Sequence, residues 1–96
     1  MGRPILSPRS KRDVDEIWNY SVHHWGTDRA KLYMRDIRKV IEAVADDPAR
    51  GYPCEEIRAG YFKISAGSHI VFYRRAGADV RILRILHQRM DFRRHL

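Results

Sequence analysis

A single cysteine, Cys54, stands in the 96-residue chain, so no internal disulfide can staple the fold, and a reducing compartment suits it. Glu55 and Glu56 follow it directly, and their charge disfavours the thiolate that a nucleophilic thiol needs. Long apolar runs are missing too. None approaches a membrane span, and the amino terminus lacks the apolar core of a signal peptide. These absences lead to the expectation of a cytoplasmic protein with no membrane contact. The chain also lacks a Gly-rich phosphate loop, a nucleophile elbow, a His-Glu-x-x-His pair, repeats and low-complexity stretches.

Acidic residues are scarce in one half only. Residues 1–57 carry ten Lys/Arg and ten Asp/Glu and are neutral, whereas residues 58–96 carry nine Lys/Arg against Asp79 and Asp91. The whole net charge of +7 therefore sits in the second half. Such segregation raises the local concentration of an acidic partner, whether a nucleic acid or an acidic protein segment. Apolar content of 44% with 32% charged residues is ordinary for a folded protein and argues against disorder. The length suits one domain, residues 1–96, with one core.

The last third organises the rest. Gly60 to His87 holds β-branched and aromatic runs separated by turns at Gly67-Ser68 and Gly77, the pattern of an antiparallel meander. Turns this short cannot carry a parallel crossover. Upstream, Pro4–Ser7 suits a strand, and Ser7-Pro8 announces a helix by a hydroxyl cap and a proline in the first turn. Val14, Ile17, Trp18, Ser21 and Trp25 form one stripe of that helix, and Gly26 closes it. Asp13, Asp15 and Glu16 lie towards its amino-terminal end, where the helix dipole favours acids. A second helix carries Ala30, Tyr33, Met34, Ile37, Ile41 and Val44 on one stripe and ends before Asp47-Pro48. A link of a residue or two forces an antiparallel helical hairpin. The expected fold is α+β: a strand, the hairpin, then a three- to four-stranded antiparallel sheet, with Glu55–Arg58 as its edge strand and a short helical turn near the carboxy terminus.

Apolar residues off the main stripes mark a face for a partner, namely Tyr20 on the first helix and Leu32, Val40 and Ala43 on the second. Metal binding is not expected. His23 and His24 point in different directions on a helix, and His69, His87 and His95 lack partners at zinc spacing. Cleavage of RNA by its own 2′-hydroxyl needs a base, an acid and cations at the phosphate. His69, Tyr73 and His87 are the proton-transfer candidates for that chemistry, and Arg58, Arg74, Arg81 and Arg84 the cationic ones. Strict alternation along the last strand puts Arg81 with His87 on one face and Arg84 on the other.

The order and spacing of several segments resemble the ParE branch of the RelE/ParE toxins of bacterial toxin–antitoxin modules. They are Leu6-Ser7-Pro8-Arg9, Asp15–Tyr20, Trp25-Gly26, Ala30 and Tyr33, Asp47-Pro48, Arg58-Ala59-Gly60, Ser68–Arg74 and Ile82–Asp91. The resemblance implies a toxin of a type II module, neutralised by a ParD-like antitoxin that wraps the hairpin and sheet. It further implies poisoning of DNA gyrase without enzymatic chemistry, no cofactor and no specific nucleic-acid binding. The ribonuclease relatives carry a lysine-and-tyrosine set that is not reproduced here, since Tyr73 is the last tyrosine and only Lys63 follows the connector. An mRNA endoribonuclease, ribosome-dependent or free, is the alternative. Expected target contacts are Arg58, Arg74, Arg81, Arg84, His87, Arg89, Arg93 and Arg94, and expected antitoxin contacts Tyr20, Leu32, Val40 and Ala43.

Overall fold

Ser7 caps the first helix, its hydroxyl accepting the Ser10 amide at 3.1 Å with Pro8 in the first turn, as its sequence predicts. The computed structural model describes residues 2–96; Met1, the first residue of the expected domain, lies outside the described residues. Strand β1 (Pro4–Leu6) leads into helix α1 (Pro8–Trp25) and helix α2 (Thr27–Asp46). A 3₁₀ turn (Pro48–Arg50), strands β2 (Tyr52–Pro53), β3 (Tyr61–Ala66), β4 (His69–Ala76) and β5 (Asp79–His87), and a 3₁₀ turn (Phe92–Arg94) complete the chain.

Gly26 alone joins the helices. Its φ of 87° is a conformation that L side chains rarely adopt, and it lets the chain reverse in one residue. The hairpin covers one face of the sheet. There Ile17, Ile37, Ile41 and Val44 pack with Val71, Tyr73, Val80, Ile82 and Ile85 in the main core. Truncating Ile37, which is 2% exposed, to Ala is expected to cost about 2–5 kcal/mol.

The sheet differs from the expected one in three ways. It has five strands in the order β1-β5-β4-β3-β2, and it is mixed, because β1 runs parallel to β5 with Ile5 opposite Arg81. The two helices between β1 and the meander supply the long connection that a parallel pairing needs. The edge strand is Tyr52–Pro53, not Glu55–Arg58: Glu55–Ile57 instead form a turn in which the Ile57 amide bonds to the Cys54 carbonyl at 3.1 Å.

The second face carries a smaller core of Cys54, Phe72 and Leu86, with Ile57, Tyr61, Ile70, Leu83, Phe92 and Leu96 against it. The carboxy-terminal segment is thus docked on the sheet. Phe92 lies 5.4 Å from Phe72, ring centre to ring centre. Among the described residues no helix is long and apolar enough to cross a membrane.

Candidate functional site

A β-bulge decides which side chains share a face. Phe72 pairs with Arg84 and Tyr73 with Ile82, so Leu83 is one residue too many in β5. The slip puts His87 opposite His69 on the helix side and Arg81 opposite Arg74 on the other side. The expected grouping of Arg81 with His87 is therefore overturned. Strict alternation fails because one residue of β5 has no partner.

On the helix side a cleft of about 510 Å³ opens between α1, the start of α2 and the β4–β5 end. Tyr20, Trp25, Tyr33, His69, His87 and Met90 line it, with the Asp13–Arg84 pair at its wall. The Tyr33 hydroxyl accepts the Ser68 amide at 3.0 Å and bonds to Nδ1 of His69. The His69 and His87 rings meet edge to face at 5.3 Å, and His87 Nδ1 accepts the Arg89 amide at 3.1 Å. Burial, then the neighbouring His87, lower the His69 pKa to about 4, while Asp13 pulls the other way. This favours neutral His69 at pH 7, the form that accepts a proton and does not readily donate one.

Arg84 is occupied. Its Nε and Nη2 donate to the Asp13 carboxylate at 2.8 and 2.9 Å, and Nη1 donates to the His95 carbonyl at 3.1 Å. Asp13 also accepts the Ile85 amide at 2.9 Å, beyond the point where β1 stops covering the β5 edge. The hydrogen bond to Asp13 holds the guanidinium pKa above its usual value, against the effect of burial. Asp13 is thus a buried tie between α1 and β5 and not a helix-dipole partner, and the first turn of α1 holds no acid. Tyr73 is fully buried and equally committed. Its hydroxyl donates to the Pro48 carbonyl at 2.8 Å and accepts the Gly51 amide at 2.9 Å, and burial raises its pKa. A Cβ at position 51 would collide with that hydroxyl, which is why glycine stands there. Cys54 is buried and its thiol pKa is raised, by burial first and Glu56 second.

The remaining cations lie elsewhere. Arg74 and Arg81 face each other on the side away from the helices, and the Arg58 guanidinium sits 5.9 Å from the Tyr61 ring centre beside them. Arg89, Arg93 and Arg94 are exposed around the final turn, where Arg94 meets Asp91 at 3.7 Å in a solvent-exposed pair.

The hairpin offers a groove of its own, about 680 Å³, between β1, α1 and α2. Leu6, Val14, Trp18, Met34 and Ile37 line it, and Lys31, Arg35 and Arg38 stand along it. Trp18, a member of the α1 stripe, borders this groove beside β1, a position set by the parallel pairing of β1 with β5. Among the expected partner residues, Tyr20 (58% exposed) and Leu32 (56%) are open to solvent. Val40 instead packs against the core, and Ala43 is half-buried.

Comparison with known proteins accords with this arrangement. The family model described as "ParE toxin of type II toxin-antitoxin system, parDE" matches residues 5–92. Toxin ParE1 of Caulobacter vibrioides is 48% identical over 91 residues, covering 95% of this chain and 94% of its own. Toxin ParE1 of Mycobacterium tuberculosis is 44% identical over 95 residues, covering 98% and 97%. A solved structure titled "Chromosomal ParDE TA system from P. aeruginosa" superposes with a TM-score of 0.77 at 19% identity, covering 91% of this chain and 96% of that one. With the family model spanning nearly the whole chain and the hairpin-on-sheet fold shared, this protein belongs to the ParE toxins of type II toxin–antitoxin systems.

Proposed function

We propose that this toxin acts by binding and poisoning DNA gyrase, with no bond-making chemistry of its own, and that a ParD-like antitoxin neutralises it. The observation that carries the reading is the dispersal of the reactive groups. RNA cleavage needs an acid, a base and cations around one phosphate. Here His69, His87 and Arg84 border the helix-side cleft, but the Arg84 guanidinium is taken up by Asp13 and the His95 carbonyl, Tyr73 is tied into the framework, and Arg58, Arg74 and Arg81 lie on the opposite side of the sheet. A surface of exposed arginines supports holding a macromolecule instead. The candidates for that contact are Arg58, Arg74, Arg81, Arg89, Arg93, Arg94 and His87.

The antitoxin segment is expected to be amphipathic and acidic. Its apolar anchors would fill the groove beside Trp18 and Met34, its carboxylates would face Lys31, Arg35 and Arg38, and its continuation would cover Leu32 and Tyr20. One observation favours the endoribonuclease reading: the adjacent His69 and His87 rings in an open cleft. Unopposed expression in bacteria separates the two. Double-strand breaks and an SOS response with intact transcripts are expected. New transcript ends without DNA breaks would overturn the proposal.

A further inference from the structure

We propose that the open end of the sheet face away from the helices binds single-stranded nucleic acid without sequence preference. One row of directly paired residues crosses four strands there: Tyr61 on β3, Arg74 on β4, Arg81 on β5 and Ile5 on β1. Arg58 leans over Tyr61 at one end of the row. Tyr52 pairs with Lys63 one row further along, which makes it a diagonal neighbour of Tyr61, and it is 71% exposed. Two arginines directly opposite each other in a sheet repel, and folding gives no reason to place them so. The ion pairs among the described residues are Asp13–Arg84 and Asp91–Arg94, so no carboxylate pairs with Arg58, Arg74 or Arg81; Asp79, two residues from Arg81 on the same face, accepts the Arg3 amide at 2.9 Å. Glu55 and Glu56 share the loop of Arg58 without pairing to it.

A cationic row beside the exposed Tyr52 ring, with the half-buried Tyr61 next to it, matches the chemistry of a single strand: phosphates meet the guanidiniums and an unpaired base stacks on Tyr52. An acidic peptide would satisfy the arginines but would leave the Tyr52 ring without a role. A duplex keeps its base faces inside. The inference stands apart from the gyrase reading, because a chain that poisons gyrase yet ignores oligonucleotides would overturn this proposal alone.

The test is fluorescence anisotropy with a labelled oligodeoxythymidine of twenty nucleotides, and separately with labelled polyglutamate, at 50–200 mM salt. Each variant is first checked for native melting. Arg74→Gln/Arg81→Gln is expected to weaken oligonucleotide binding at least tenfold and to lower its logarithmic salt slope by about 1.4, for two lost phosphate contacts. Tyr52→Ala is expected to weaken it at least about fivefold, the low end of base–aromatic stacking, and to leave polyglutamate binding unchanged. Arg93→Gln/Arg94→Gln, with the same change in net charge, is expected to have less than a threefold effect. Absence of oligonucleotide binding, indifference to Tyr52→Ala, or equal losses from the two arginine pairs would each overturn the proposal.

Discussion

Asp13 anchors the protein at a point where three backbone and side-chain donors converge: the Arg84 guanidinium through two nitrogens, and the Ile85 amide. Removing one partner of a buried ion pair strands the other, so Asp13→Ala is expected to cost roughly 3–5 kcal/mol in urea unfolding. An unchanged urea midpoint would contradict the tie. Tyr73→Phe removes the partner of both the Gly51 amide and the Pro48 carbonyl, and about 1–3 kcal/mol is the expected loss by the same measurement. His69 sets a pH dependence. It is faced by Tyr33 from α2, His87 from β5 and Asp13 from α1, and its pKa falls from 6.5 to about 4 on folding. Between those values the unfolded chain binds more protons than the native one, so this contribution to stability is complete above pH 6.5 and fades as the pH drops towards 4. Melting temperatures of the parent and His69→Gln across pH 7 to 4 check this. The parent should lose more over that window, and parallel curves would contradict it.

At the scale of elements, the helices were legible because their signals are local: Ser7-Pro8 at one start, Gly26 at the reversal, and periodic apolar residues between. The meander was legible from its turns. What escaped were pairings that no local pattern encodes. The parallel register of β1 with β5 depends on how the hairpin returns the chain, the two-residue strand Tyr52–Pro53 is too short to show alternation, and the bulge at Leu83 re-aims Arg81, Arg84 and His87. The expected partner face was legible only in its exposed members, Tyr20 and Leu32, because Val40 is claimed by the core. The carboxy-terminal turn also proved structural. Deleting residues 92–96 would remove Phe92 and Leu96 from the smaller core and the His95 carbonyl from Arg84, so a truncation mixes unfolding with loss of contact. Arg93→Glu/Arg94→Glu is the cleaner probe. It is expected to shift stability by no more than about 0.5 kcal/mol while abolishing growth arrest. Full arrest by a stably folded double variant would remove this turn from the target surface.

The molecule as a whole divides a neutral half from one that carries its entire charge of +7. Under the proposed function the charged half would speed encounter with an acidic antitoxin, and the apolar groove on the hairpin would supply the lasting grip. Stopped-flow association with the antitoxin is therefore expected to slow as salt rises from 50 to 500 mM, with a weaker change in dissociation. Association rates that ignore salt would contradict the electrostatic half of the account. Its central claim is that this toxin holds its target and breaks no bond itself. Purified protein added to DNA gyrase and relaxed plasmid tests that directly: supercoiling should stop and cleaved plasmid accumulate, equally for the parent and for His69→Gln. Unimpaired supercoiling, together with RNA cutting that vanishes in His69→Gln, would contradict it.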